Sequence, residues 1–104
     1  MGDSIKIRAK ISGDVTTVKA LISHPMETGQ RKDKKTGKLI PAHFIQEVVC
    51  EHAGATVLTA NWGPAISKNP YLSFKFRGAS KGDTLTLRWV DNTGKSDSKE
   101  VKIV

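Results

Sequence analysis

Three histidines, one cysteine and a methionine beside a proline are the residues of this chain with the most chemical reach. His24 opens the run His24-Pro25-Met26-Glu27-Thr28-Gly29, and His43 sits near the end of the same segment, in Pro41-Ala42-His43-Phe44. A catalytic zinc site wants three protein ligands converging on one point. His24 and His43 bracket one stretch and can approach each other, and His24 with Met26 offers donors that suit soft copper. No pair has a diagnostic spacing, so neither a metal nor another cofactor is expected, and the plainer role is hydrogen bonding to loop backbone.

Cys50 is the one candidate thiol nucleophile. Its context, Val48-Val49-Cys50-Glu51-His52, reads as mid-strand, in phase with Phe44 and Val48, so it faces the core as a small hydrophobe. Neighbouring Glu51 does not favour a thiolate, since reactive cysteines sit in electropositive, accessible places. His52 is two residues on and shares that face, which keeps a reactive thiol as the alternative. No nucleophile elbow, P-loop or dinucleotide fingerprint occurs. The ten carboxylates include no pair spaced to flank a substrate. The residues therefore give no catalytic set, and an enzyme is not expected.

The elements that must carry these residues read as short strands. Ile5, Ile7, Ala9 and Ile11 alternate with Lys6, Arg8 and Lys10, the period-two pattern of a half-buried strand. Ser12-Gly13-Asp14 turns into Val15 to Ser23, which puts Val18, Ala20 and Ile22 on one face and ends at His24-Pro25. Phe44 to His52 is the next strand, with Phe44, Val48 and Cys50 inward and Gln46 and His52 in the same phase. Ala53-Gly54-Ala55 turns it into Thr56 to Trp62. Tyr71 to Arg77 puts Leu72, Phe74 and Phe76 inward. Thr84 to Val90 does the same with Leu85, Leu87 and Trp89, Asp91 to Lys95 reads as a turn, and Ser96 to Val104 closes the chain. Seven strands and no helix predict an all-β, immunoglobulin-like antiparallel β-sandwich, one domain over residues 1–104. The Cys…Trp…Cys pattern of antibody domains is absent, so the expectation concerns architecture alone.

Between the second and third strands lies a segment of about 20 residues without a period, a length that is functional or disordered in most compact domains. From His24 to Lys38 it carries five basic residues against two acidic ones, net +3. Lys35-Thr36-Gly37-Lys38 reads as a tight turn, so a small hairpin is expected there. The whole chain is +7, which suits an anionic partner or a merely soluble basic surface. Nucleic-acid binding asks for basic residues interleaved with exposed stacking aromatics, and the basic loop has no aromatic. A basic nucleic-acid-binding β-domain is thus the second reading, and a protein-interaction module the first. Loops on a rigid sandwich are where sites sit, and Met26, Trp62 and Tyr71 are residue types enriched in interfaces. For Trp62 the alternative is a core plug at a strand end. No apolar run reaches a membrane span. One cysteine excludes an internal disulfide. The N-terminus shows no signal-peptide pattern, which read alone points to the cytoplasm.

The same segments carry a resemblance. Lys6 to Lys10, His24 to Gly29, Ile40-Pro41-Ala42-His43-Phe44-Ile45, Ala60-Asn61-Trp62-Gly63, Ser67 to Tyr71, Phe74-Lys75-Phe76 and Gly82-Asp83-Thr84 resemble the SoxZ family nearly end to end. SoxZ proteins are the small subunits of the SoxYZ sulfur-carrier complex of bacterial thiosulfate oxidation. The resemblance implies an immunoglobulin-like sandwich without catalytic residues, forming a heterodimer with SoxY and making transient contact with other Sox enzymes. SoxY carries sulfur on a cysteine in a flexible Gly-Gly-Cys-Gly-Gly tail. This chain ends Glu100-Val101-Lys102-Ile103-Val104, and Cys50 has no flanking glycines. The resemblance also implies a periplasmic location, reached by export with a signal-bearing SoxY. His24, Met26, His43, Phe44, Trp62, Asn69 and Tyr71 are then expected to lie on or support the partner surface. An isolated chain is expected to self-associate through its exposed pairing surface.

Overall fold

The computed structural model describes residues 2–104. Seven strands form two antiparallel sheets: β1 (Ile5–Ser12), β2 (Val15–Ile22), β3 (Ile45–His52), β4 (Ala55–Asn61), β5 (Tyr71–Arg77), β6 (Thr84–Asp91) and β7 (Ser96–Lys102). One sheet has the order β1-β2-β5 and the other β4-β3-β6-β7. This is the sandwich that the alternating pattern predicts.

Alternation decides which side chains meet between the sheets. Ile5, Ala9, Val18, Ala20 and Ile22 from the first sheet pack with Val48, Cys50, Leu85, Leu87 and Trp89 from the second. Burial of this apolar surface is the main favourable contribution to folding, at roughly 25 cal/mol per Å². β3 departs from simple alternation. Its pairing with β6 shifts between Ile45 and Glu47, and such a bulge re-aims side chains. Ile45 becomes the fully buried residue, Gln46 is exposed, and Phe44 is left part-buried ahead of the strand. The expected inward phase of Phe44 and Gln46 is corrected on that account. A second shift, against β4, falls between Cys50 and Glu51.

The hairpin between β3 and β4 turns on Ala53 and Gly54, both at positive φ, the left-handed pair of a type I′ connection. The antiparallel order puts the long connections at one end of the sandwich. Residues 23–44, 62–70 and 92–95 all leave strands there. One seam between the sheets is closed: Ile11 N and Val104 O are 3.0 Å apart, Val104 N donates to Ala9 O at 3.0 Å, and Asp97 accepts from Gly2 and Ser4. The opposite seam lies between β4 and β5, where Leu58, Ala60, Leu72, Phe74 and Phe76 are only part-buried. The basic segment does hold a hairpin, with a bridge between Lys32 and Leu39 and Asp33 N donating to Lys38 O at 2.8 Å.

Candidate functional site

The loop end of the sandwich is built around Asp91, the last residue of β6, which is 2% exposed. His24 arrives from the end of β2, and His43 from the strand-like approach to β3, where Glu27 and His43 bridge. His24 Nε2 is 3.0 Å and His43 Nε2 2.7 Å from Asp91 Oδ2. The two rings meet edge-on with centroids 4.5 Å apart. The other carboxylate oxygen, Oδ1, accepts from Thr93 N, Thr93 Oγ1 and Lys95 N at 2.9, 2.6 and 3.0 Å. Five hydrogen bonds thus converge on one carboxylate, which has about four lone-pair sites. Burial by itself raises the Asp91 carboxyl, but the bonds from His24, Thr93 and His43 outweigh it and hold the group far below the usual carboxylate range.

His24 is oriented from its other side. Its Nδ1 accepts the Met26 N–H at 3.2 Å, so the ring proton sits on Nε2 and points at Asp91. The turn that allows this puts Met26 at φ +50°. Met26 is itself buried, with its Sδ accepting Ile45 N–H at 3.4 Å. Asn69, also at positive φ, accepts His24 N–H through Oδ1 at 3.0 Å and donates its own N–H to His24 O at 3.0 Å. Asn92 ties the other wall: Oδ1 accepts Phe44 N–H at 2.8 Å, and Nδ2 donates to Ala42 O at 2.9 Å. Gly29 packs against Ala42, and a Cβ there would stand 3.1 Å from that of Ala42. Trp89 lies edge-on to His24 at 5.1 Å and donates through Nε1 to Ser4 Oγ, which donates in turn to Asp97.

His24, His43 and Asp91 bring ligand atoms within 4.8 Å of one another, so their fitness for a cation has to be judged. A metal would need the Nε2 lone pair of His24, and therefore a proton on Nδ1, directly opposite the Met26 N–H. It would also compete for a carboxylate already saturated. The geometry is that of a hydrogen-bond node. Met26 is buried, and its Sδ is engaged by the Ile45 N–H.

Of the residues expected on or behind a partner surface, the structure gathers His24, Met26, His43, Phe44 and Asn69 around this node. His24 and Met26 are buried and can only support a surface. His43 is half-exposed at its edge, with 28% of its side chain accessible. Trp62, part-buried, lies just beyond β4 and packs on the core, its backbone N–H donating to Gln46 O at 2.8 Å. Tyr71 stands apart, 60% exposed on β5. In the sequence the hub itself, Asp91, reads only as the start of a turn. The signal was Asp91-Asn92-Thr93-Gly94, where an aspartate accepts backbone N–H groups a few residues on.

Cys50 is fully buried, and burial pushes its thiol up to about 11. His52 does not activate it: the ring is 2.7 Å from Asp83 Oδ2 and packs against Phe76.

The model of the family described as "Sulphur oxidation protein SoxZ" matches residues 5–102. No curated protein matches the sequence. Among solved structures, a superoxide reductase (neelaredoxin) from Ignicoccus hospitalis is similar, with 18% identity and a TM-score of 0.60 over 97% of this chain and 80% of that one. A second structure of that protein, with a single substitution, gives 19% identity and the same TM-score and coverage. At such identity the likeness concerns the fold alone.

Proposed function

The chain belongs to the SoxZ family, and from that premise we propose that it is the non-catalytic scaffold subunit of a SoxYZ sulfur-carrier complex in thiosulfate oxidation. The family places it in the Sox system of sulfur oxidation. The observation that carries the finer reading is the state of Cys50. A carrier thiol must be exposed, mobile and readily ionised to visit several enzymes. Cys50 is sealed between the sheets and resists ionisation. Sulfur must then be held on another chain, and SoxY is the partner that the family resemblance implies.

The outer strands of the two sheets support a place for that partner. β1, β5 and β7 all carry charged residues, the usual protection of an edge against pairing. β4, Ala55-Thr56-Val57-Leu58-Thr59-Ala60-Asn61, carries none. It is the edge at which a neighbouring sheet can add a strand without opposing charge. In this reading β4, with Trp62 beside it, holds SoxY. The surface over the Asp91 node, which His24, Met26, Phe44 and Asn69 support and His43 borders, is presented with Tyr71 to the other Sox enzymes. An isolated chain would pair the same edge with a second copy. We place the complex in the periplasm, the chain exported with SoxY, where a buried lone thiol meets no oxidising partner.

Co-expression with SoxY from the same genome, purification and intact mass after exposure to thiosulfate and the loading enzymes test this. The expected result is a one-to-one complex with sulfur mass on SoxY alone. Added mass on this chain at Cys50, or no complex at all, overturns the reading.

A further inference from the structure

The outer face of the β1-β2-β5 sheet is an array of cations. The register places Lys6, Leu21 and Tyr71 in one row across the strands, then Arg8, Lys19 and Ser73, then Lys10, Thr17 and Lys75, then Ser12, Val15 and Arg77. Lys6, Arg8, Lys10, Lys19, Lys75 and Arg77 are all exposed on it. None of the rows contains a carboxylate. Among the described residues the only salt bridge to any of the six is Arg77 to Asp14, 3.8 Å, from the turn at the sheet's end. Two shallow concavities, of about 470 and 460 Å³, lie side by side here, both lined by Arg8 and Lys19.

Such a face costs stability. Arg8 and Lys19 are direct cross-strand partners, and like charges directly opposite one another are unfavourable. A sandwich kept only for its fold gains nothing from that arrangement. At one end the face changes character: Leu21 and Tyr71 are register neighbours, 39% and 60% exposed. An apolar and aromatic anchor beside charged groups is the composition of a protein interface.

We propose that this face docks an acidic protein surface, with rows of carboxylates meeting Lys6, Arg8, Lys10, Lys19 and Lys75 and an apolar group seated on Leu21 and Tyr71. Successive outward residues on a strand are about 6.8 Å apart and neighbouring strands about 4.8 Å, so a partner strand with glutamate or aspartate at every second position matches the array. Nucleic acid is the less suitable occupant, because a single-stranded ligand wants several stacking aromatics and Tyr71 is the only one on the face. The inference concerns a different sheet from β4 and does not depend on pairing with SoxY.

The test uses the full chain and a short synthetic peptide alternating glutamate with serine and ending in leucine, followed by amide shift mapping and titration at low salt. Shifts are expected along β1, β2 and β5. Arg8→Glu with Lys19→Glu is expected to weaken binding about tenfold or more, and Lys34→Glu with Lys35→Glu, an equal change of net charge in the basic hairpin, by less than about threefold. Leu21→Ser is expected to weaken binding at unchanged net charge. If the reversal pair unfolds, Arg8→Gln with Lys19→Gln replaces it. Equal losses from face and hairpin, shifts confined to the hairpin, or tighter binding of an oligothymidylate of matched charge would overturn the proposal.

Discussion

The Asp91 node and the outer face of the β1-β2-β5 sheet use polar groups in opposite ways. At the node, every group that points at the carboxylate is bonded to it, and the carboxylate has no free lone pair. On the face, five of six cations have no acidic partner among the described residues. The node contains the more suggestive chemistry, two histidines and an aspartate, yet its bonds are spent within the chain. The face offers lysines and arginines beside Leu21 and Tyr71, and its charge is unspent. A cluster of reactive residue types is architecture when its donors and acceptors are matched internally. A surface is functional in prospect when they are not.

The largest effect expected from this contrast is on stability. Asp91→Ala would orphan the His24 Nε2–H and the N–H groups of Thr93 and Lys95 together. Each buried donor left without a partner costs about 1–3 kcal/mol, so the summed loss is a large share of a small domain's total. Urea unfolding should show that loss, while the acidic-peptide affinity of the still-folded protein stays within about twofold of the parent. A variant as stable as the parent would mean that the node is not structural and would reopen a ligand role for it.

Much of the fold is legible in the order of residues. Alternation in β1, β5 and β6 is strict, and each strand turns inward the residues that its phase assigns, although those of β5 are only part-buried. The start of β3 departs from its pattern because a bulge adds a residue without leaving a mark in composition. The approach of His24 to His43 was legible from the segment they bracket. The role of Asp91 as the hub is not legible, because nothing in the order of residues says that the end of β6 faces the end of β2. The cationic face was hidden for a similar reason. Lys6, Arg8 and Lys10 announce themselves along one strand. Lys75 joins them only because β5 returns to pair with β2, a pairing between distant segments that local patterns do not specify.

Acid separates the two regions next. Asp91 and Asp97 are held low by hydrogen bonds that outweigh burial, and Asp83 by His52 and the Ser80 N–H. A carboxyl whose folded pKa lies below its unfolded value stabilises the fold above that unfolded value, about 3.9 for aspartate, and gives this up as pH falls toward the folded one. Urea midpoints should therefore fall below about pH 4, and Asp91→Asn should flatten that limb. The lysines and arginines of the face stay charged throughout this range and should contribute no slope. An unchanged limb in Asp91→Asn would show that the node does not set acid stability.

The smallest effect is the most discriminating, because its two readouts should move in opposite directions. Lys19→Glu replaces a like-charge partner of Arg8 with an attractive one across β1 and β2. Cross-strand pairs are worth roughly 0.2–1 kcal/mol, so stability at low salt should rise by about 0.5 kcal/mol, while affinity for the acidic peptide falls. Salt should erase most of the gain, since the pair is exposed and screening lengths are about 10 Å at 0.1 M. Stability and binding that fall together would mean that Lys19 contributes through packing of its stem, as long basic side chains can. A rise in stability with binding unchanged would place the acidic partner elsewhere and leave the face as surplus charge. Only the opposed pair of changes identifies a surface that gives up stability in order to meet a partner.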